Sequence, residues 1–464
     1  MSYFPSEVKP EGRIGYQERV KRASGTASKA EGRGAPATRD AAAVSPLGNN
    51  TKLQAVLEVR EHGNPDCIQR FTLDNERREY VEVISDEARQ ITSRQARFSA
   101  QSSAARLLHG VPNPRAAKYD VLDNKGESPA QWRVTGCSRR KIAEEVSVLH
   151  SPSIKKAHFG NLMICGSVWT CPVCSAKVSE ARKQEIKVAS DLHCAAGGYM
   201  YMVSLTFSHQ RNDVISSMLG KFSQARTWMR AHRDFKEMRR GLGFVGDIRA
   251  LEVTYGDKNG WHPHEHGLWL VADVLTDSQL RTMMKTIFKL WHKACGKFGL
   301  GLPNRKRGVN IKKAISAADY MAKTGREQTW GVSSELSKQH VKTGKANGMT
   351  PFDLLRSYEA GNKQHGALFI EYANAFFGKQ QIRWSKGLKA IFGIAIIEDQ
   401  ELAEQVISED AAVIFSITAY EWRVILHQPY DVRAQVLLLA EIGGAGGAQA
   451  YIKRLVQQSE LLPF

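Results

Sequence analysis

The residues best suited to chemistry are three histidines concentrated in one short stretch, residues 251–270, LEVTYGDKNGWHPHEHGLWL. Apolar and polar residues alternate from Leu251 to Tyr255, and after a turn at Asp257, Asn259 and Gly260 comes a second run that ends in GLWLV, a pattern typical of a β-hairpin. Successive side chains of a strand point to opposite faces, so His264 and His266 share one face while Glu265 points away. Two imidazoles side by side can bind one metal ion, and the stretch therefore predicts a metal site.

The third ligand of such a site has two candidates. Glu252 lies on the strand that pairs antiparallel with the histidine strand, so its carboxylate can reach the same ion. His262 competes with it, although Pro263 is expected to break the strand pattern between His262 and His264. We predict a divalent metal site formed by His264, His266 and Glu252. The alternative is a polar hairpin whose histidines are simply exposed.

Four of the seven cysteines lie close together in the sequence. Cys171 and Cys174 have the C-x2-C spacing that lets two thiolates bind one tetrahedral zinc ion, and Cys165 and Cys137 can complete the ligand set. His158 is an alternative to Cys137. The competing interpretations are reduced thiols without a metal and a redox-active C-x-x-C pair. An odd number of cysteines at irregular spacing argues against a disulfide framework. The pattern predicts a zinc site.

A tyrosine and a lysine share one face of a predicted helix further along the chain. The segment SAADYMAKTG, residues 316–325, reads as a helix in which Tyr320 and Lys323 are three residues apart. A nearby cation favours the phenolate, which is the nucleophilic form of tyrosine. The competing interpretation is a tyrosine buried by packing. Tyr358 and Tyr372 are less well placed for chemistry, and Tyr372 has the surroundings of a packing residue.

These motifs resemble those of the HUH endonucleases, and specifically the rolling-circle replication initiators of bacterial plasmids. The signature is PHEH, with His264 and His266, followed by ADYMAKTG, with Tyr320 and Lys323. The similarity extends from CGSVWTCPVCSAK to EYANAFFGKQQIRWSKGLK, roughly residues 135–390. The resemblance implies that the two histidines hold Mg²⁺ or Mn²⁺ and that Tyr320 attacks a DNA phosphodiester.

The resemblance also implies a course for the reaction. Attack by Tyr320 leaves a 5′-phosphotyrosine link and frees a 3′ hydroxyl that can prime synthesis, and the reverse reaction rejoins strands. Lys323 would orient the DNA backbone, stabilise the phenolate or help to protonate the leaving 3′ oxygen. With one tyrosine in the motif, termination needs another nucleophile, such as water activated by Glu327 or a second subunit. Where the family usually has a bulky apolar residue, Glu265 indicates an exposed outer strand face or an acid that reaches the metal site.

The order of predicted elements indicates an α+β fold. A strand, a long helix, the hairpin, another helix, a strand and the Tyr320 helix follow one another, which favours an antiparallel sheet with helices on one face. The resemblance implies the same architecture, an RRM-like, ferredoxin-related sheet with the metal site on its open face. The chain divides into a disordered N-terminal segment (1–52), an accessory region (53–130), a cysteine-rich zinc-binding module (131–180), the HUH endonuclease domain with its continuation (181–390) and a helical C-terminal appendage (391–464).

Charge and composition favour a nucleic-acid partner. The 464 residues carry a net charge of +18 with a pI near 9.5, and residues 201–330 hold 22 Lys and Arg against 11 Asp and Glu. Such a surplus suits contact with DNA phosphates. We expect a cytoplasmic protein, because no apolar stretch is long enough for a membrane span and the N-terminus lacks the apolar core of a secretory signal.

Motifs that the sequence lacks narrow the function further. It contains no H-E-x-x-H, which disfavours a zinc protease, and no G-x-x-x-x-G-K-[ST], so unwinding would fall to a host helicase. The oligomeric state is left open. One alternative function is a conjugative relaxase or transposase-like HUH nuclease, although relaxases usually carry the tyrosine upstream of the histidines. The other is a non-enzymatic, zinc-stabilised DNA-binding regulator.

Overall fold

The structure is a computed structural model that places the predicted hairpin in the middle of a larger sheet. The residues it describes are 16, 18–23, 56–60, 68–74, 79–82, 86–115, 131–314, 348–404, 410–428 and 431–460. Tyr320, Lys323 and Glu327 lie outside these residues. None of the helices in the described part of the chain combines the length and apolar character needed to cross a membrane.

Strands and helices alternate along the described chain. The strands are β1 (Val56–Arg60), β2 (Ile68–Asp74), β3 (Glu79–Glu82), β4 (Val146–Ser151), β5 (Lys156–Gly160), β6 (Tyr199–Leu205), β7 (Phe244–Gly256), β8 (Gly260–Val271), β9 (Val309–Ala314), β10 (Ile382–Trp384) and β11 (Ala412–Ile417). The helices are α1 (Asp86–Leu108), α2 (Pro172–Ala195), α3 (Ile215–Ala231), α4 (Arg233–Gly241), α5 (Asp277–Lys297), α6 (Pro351–Glu359), α7 (Lys363–Phe376), α8 (Leu388–Ile391), α9 (Asp399–Glu404), α10 (Ala419–His427) and α11 (Arg433–Glu460), with a 3-10 turn at Arg133–Thr135.

The central sheet has five strands in the order β10-β7-β8-β6-β9, and every neighbouring pair is antiparallel. The hairpin of β7 and β8 is the predicted one, and Gly260 stands at its turn with a φ of 72°. A Cβ at this glycine would lie 2.6 Å from the carbonyl oxygen of Arg211, so both the backbone angle and the contact require glycine. The α+β fold class predicted from the sequence is confirmed.

The two faces of the central sheet differ. On the first face Trp269 packs in a large apolar cluster with Phe222 of α3 and with residues of α4 and α5. On the second face Leu268 belongs to a smaller cluster with Ile186 of α2 and with Tyr16, a helical residue just before the helical segment at 18–23. Helices therefore cover the first face as predicted, and in addition they cover part of the second.

A second apolar core joins the cysteine-rich region to the C-terminus. Strand β11 pairs antiparallel with β4, which pairs with β5, and α10 and α11 pack on this sheet. The predicted helical C-terminal appendage thus contains helices but also contributes a strand to a sheet shared with residues 146–160. Helix α11 bends at Gly444, whose φ of 59° and ψ of −157° are not helical.

Candidate active site and metal centre

The predicted metal ligands lie together in the hairpin. Glu252 of β7 stands directly opposite His264 of β8, and His266 follows two residues later on the same face. Their ligand atoms lie within 4.8 Å of one another. Glu252 Oε2 is 3.2 Å from His264 Nε2 and 3.5 Å from His266 Nε2. The register of the hairpin therefore brings one carboxylate oxygen and two imidazole nitrogens to one point.

Hydrogen bonds at the far side of each ring orient the two histidines. His264 Nδ1 lies 3.1 Å from the backbone oxygen of His262, and His266 Nδ1 lies 2.8 Å from the hydroxyl oxygen of Ser204 on β6. A ring whose Nδ1–H donates to such an oxygen presents an Nε2 lone pair, which is the form that binds a metal. Both Nε2 atoms face Glu252.

Burial makes this group costly without a cation. Glu252 is 3% exposed and His264 is 7% exposed, so little water reaches the carboxylate. An ionised carboxylate buried at this position requires a compensating positive charge, which a divalent cation bound between Glu252 and the two imidazoles would supply. Carboxylate and imidazole ligands together suit Mn²⁺ and related divalent ions, and carboxylate oxygens also suit Mg²⁺. The residues present therefore fit a divalent cation.

His262 takes a different position from the group of three ligands. Its ring stacks on His264 at a centroid distance of 5.1 Å, but its Nδ1 is 2.6 Å from Nε2 of His209. His209 in turn contacts the backbone oxygen of Asn259 through Nδ1, at 2.9 Å. Of the two candidates for third ligand, Glu252 is the one that shares the point reached by His264 and His266. The contact with His209, in the loop after β6, was not predicted from the sequence.

Glu265 reaches neither solvent nor the metal group. It is 2% exposed and points to the first face of the sheet, where Arg226 and Arg230 of α3 bind its two oxygens, the second at 2.9 Å. Burial alone would raise the pKa of Glu265, but the charges of Arg226 and Arg230 outweigh it and hold that pKa below its usual value. Both sequence-based interpretations of Glu265 were wrong, because the partners lie on a helix about 35 residues away in the chain.

A second acid extends this network. Asp247 of β7 accepts a 2.6 Å bond from Arg230, and its backbone N–H donates to the Ser385 hydroxyl at 2.8 Å. Burial would raise the pKa of Asp247, yet Arg230 and then Arg249 lower it below its usual value. Helix α3 is thus fixed through Arg230 to both strands of the hairpin that carries the metal ligands.

The four predicted cysteines also meet. Sγ of Cys137 lies 3.5 Å from that of Cys174 and 3.7 Å from that of Cys171, and Cys165 lies 3.6 Å from Cys174. Tetrahedral zinc with bonds of about 2.3 Å places its sulfurs about 3.8 Å apart, whereas a disulfide requires about 2.05 Å. Hydrogen bonds from the three other cysteines hold the pKa of the Cys137 thiol well below its usual value. The four cysteines fit a zinc site. His158, the alternative to Cys137, lies on β5 opposite Leu149 of β4 and does not belong to this cluster.

Neighbouring groups support the cysteine cluster. Cys171 caps the N-terminus of α2, with Pro172 next, so Cys174 falls in the first helical turn. The Gln101 amide of α1 donates to Cys171 Sγ at 3.3 Å, and the side chain of Gln101 accepts a 2.9 Å bond from Arg433 of α11. Helices from three separate parts of the sequence therefore converge on this cluster.

Of the predicted tyrosines, Tyr320 lies outside the described residues together with Lys323, whereas Tyr358 and Tyr372 lie within them. Tyr372, predicted to be a packing residue, is 2% exposed and contacts the ring of Phe376 at 4.8 Å. Burial raises the pKa of Tyr372 well above its usual value, which disfavours its phenolate.

Comparison with known proteins gives two relatives, both from Streptomyces. Protein rep of Streptomyces lividans is 26% identical over 341 residues, which cover 59% of this chain and 74% of that protein. The neomycin resistance protein of Streptomyces cyanogenus is 32% identical over 135 residues, which cover 24% of this chain and 31% of that protein. No protein-family model and no solved structure matches. The resemblance to a replication (Rep) protein is confirmed. Neither relative's name refers to an HUH endonuclease.

Proposed function

We propose that this protein is a plasmid replication initiator that nicks one strand of its origin through Tyr320 and later rejoins strands. The observation that carries the proposal is the convergence of Glu252, His264 and His266, with both Nδ1 atoms hydrogen-bonded so that both Nε2 atoms face one point. The similarity to a protein named rep supports replication as the setting and DNA as the partner. A divalent ion bound there, Mg²⁺ or Mn²⁺, would polarise the scissile phosphate.

The roles of the chain's own residues follow from their chemistry. Oη of Tyr320 attacks the phosphorus, the bond from phosphorus to the 3′ oxygen breaks, and the phenolic proton leaves the tyrosine while a proton is delivered to the 3′ oxygen. Lys323 favours the phenolate or supplies that proton. Ser204 keeps the His266 ring oriented. The products are a 5′-phosphotyrosine link and a 3′ hydroxyl, and the same steps reversed rejoin the strand.

The cysteine cluster has a structural role in this proposal. Zinc held by Cys137, Cys165, Cys171 and Cys174 would tie the start of α2 to the loop after β5 and to the segment that follows the 3-10 turn, and Gln101 of α1 contacts Cys171 Sγ beside it. A host helicase would supply unwinding, since the sequence contains no nucleotide-binding motif of the P-loop type.

Single-stranded oligonucleotides tiling the origin of the protein's own replicon test the nicking activity. The full chain is incubated with each in Mg²⁺, Mn²⁺ or EDTA, and protein-linked DNA is detected on a denaturing gel. We expect one oligonucleotide to give a metal-dependent adduct that Tyr320→Phe abolishes and that the matched control Tyr358→Phe retains. An adduct retained in Tyr320→Phe would exclude Tyr320 as the nucleophile. DNA binding without any adduct would favour the non-enzymatic regulator.

A further inference from the structure

A cluster of cationic side chains lies on the helix-covered face of the central sheet, close to the edge formed by β10. Its members are Arg226 and Arg230 of α3, Arg239 of α4, Arg249 of β7, Lys379 after α7 and Arg383 of β10. Among the residues that the structure describes, the carboxylates that face the cluster are Glu265 and Asp247, so these six cations exceed these two acids by four charges. Concentrating like charges in partly buried positions is unfavourable, so this excess of positive charge indicates a site for an anionic ligand.

The two carboxylates are already engaged. Glu265 is bound by Arg226 and Arg230, and Asp247 accepts a 2.6 Å bond from Arg230. Arg249 Nε stands 3.6 Å from Asp247 Oδ1, which is too long for a hydrogen bond. Neutralising the remaining cations therefore requires an anion from outside this network.

Two arginines of the cluster, Arg249 and Arg383, are neighbours of like charge on adjacent strands. Arg383 lies directly opposite Arg249 in the antiparallel ladder, a placement that destabilises a sheet when the charges are alike. In the part of the chain that the structure describes, neither Lys379 nor Arg383 makes an ion pair, and Arg383 Nε contacts only the Gln380 side chain, at 3.0 Å. Burial, followed by the charges of Arg226 and Arg383, lowers the pKa of Lys379.

We propose that Arg249, Lys379 and Arg383 bind backbone phosphates of duplex DNA that flanks the cleaved segment. DNA as the ligand rests on the proposed function. Arginine forks match phosphate oxygens, and a phosphate between the two arginines would turn their repulsion into two attractive contacts. Ala250, next to Arg249, pairs with His266, so the two sites lie on opposite faces of the sheet. DNA that runs round the β10 edge, where Arg383 lies, can reach both sites.

The test compares two double variants of the full chain. Lys379→Gln/Arg383→Gln removes the two outermost cations, and Arg281→Gln/Lys285→Gln removes an arginine and a lysine from the exposed side of α5. Binding to a duplex of about 30 base pairs and to a single strand of the same length is measured over a range of salt. We expect the first variant to reduce the duplex salt slope by about 2 and the affinity on the order of 10- to 30-fold near ~0.15 M salt, with the control unchanged.

Other outcomes overturn the proposal in distinct ways. If both double variants lose the same duplex affinity, the effect is one of general surface charge. If the first variant loses as much affinity for the single strand as for the duplex, a duplex site is excluded. Nicking of a short oligonucleotide that carries the cleavage site is measured on the same proteins. If the Lys379→Gln/Arg383→Gln variant has a reduced duplex salt slope but the unaltered chain does not nick the oligonucleotide, the proposed nicking is refuted and the phosphate site stands. Arg383 is exposed, so Arg383→Gln alone retains the fold and gives a slope change of about 1.

Discussion

The substitution Glu265→Gln removes a negative charge from the sheet interior and preserves the volume of the side chain. Hydrogen bonds to charged groups contribute about 1.5–3 kcal/mol each, and removing one partner of a buried ion pair costs about 3–5 kcal/mol. Arg230 retains Asp247 at 2.6 Å, and the side chains of Arg226 and Arg230 keep 15% and 17% exposure. Because the two arginines are partly exposed and Arg230 keeps Asp247, the lower end of the 3–5 kcal/mol range applies. We expect the free energy of unfolding to fall by about 3 kcal/mol.

Thermal unfolding followed by circular dichroism measures this loss. For a cooperative unit of about 150–250 residues, 3 kcal/mol lowers the melting temperature by about 6–12 °C. The matched control is Glu180→Gln, because Glu180 pairs with Lys183 at 3.5 Å on the surface of α2 with 54% of its side chain exposed. The control should change the free energy of unfolding by less than about 0.5 kcal/mol. A melting temperature of Glu265→Gln within about 1 °C of the unaltered chain would refute the reasoning.

The stabilisation by Glu265 should also depend on pH in a defined direction. Its pKa in the folded protein lies below the ordinary value, so the unfolded chain binds the proton more readily. The contribution is fully present above the unfolded pKa of about 4.3 and is lost as the pH falls through the folded pKa. The difference in melting temperature between the unaltered chain and Glu265→Gln should therefore be constant near neutral pH and shrink below about pH 4.3.

Three further substitutions probe the other sites. Cys171→Ser should reduce the zinc bound per chain, measured by elemental analysis, and lower the melting temperature, whereas Cys194→Ser, at an exposed cysteine outside the cluster, should change neither. Ser204→Ala removes the hydroxyl that orients the second histidine ligand, and should weaken Mn²⁺ binding, measured by titration, by about 10-fold with the melting temperature nearly unchanged. Gly260→Ala should destabilise the chain by more than about 1 kcal/mol in urea unfolding, because its φ is 72° and its Cβ would meet a carbonyl oxygen at 2.6 Å. Gly220→Ala, in helix α3 with nothing within 4 Å of its Cβ, should instead stabilise by about 0.5–1 kcal/mol.

Short-range patterns in the sequence were sufficient for the parts of the site that lie close together in the chain. Alternation and a glycine turn predict the hairpin, and the hairpin alone dictates that Glu252 faces His264. The C-x2-C pair predicts a shared ligand position at the start of a helix. These features depend on local geometry, which the residue types in a short window determine.

Features that depend on long-range packing were not predictable in the same way. The partners of Glu265 lie on α3, and nothing in the spacing of Arg226 and Arg230 distinguishes them from exposed helical arginines. Strand β11 reads as part of a mostly helical segment, yet it completes a sheet with β4, more than 250 residues earlier. Sheet pairing across such a separation follows from burying a shared apolar core, which single-sequence patterns do not encode.

The alternation of strand β8 ties the metal group to the buried ion pairs. His264 and His266 point to one face and Glu265 to the other, so a slip of one residue would exchange the two sets. Glu265 would then stand beside Glu252, while the imidazoles would face the guanidinium groups of Arg226 and Arg230. Such a slip would place a carboxylate next to a carboxylate and remove Glu265 from both arginines, so that only Arg230 would keep an acid, Asp247. The ion pairs behind the sheet thus penalise a one-residue slip, which would also separate the metal ligands, and this accounts for an acid where an apolar residue would pack more cheaply.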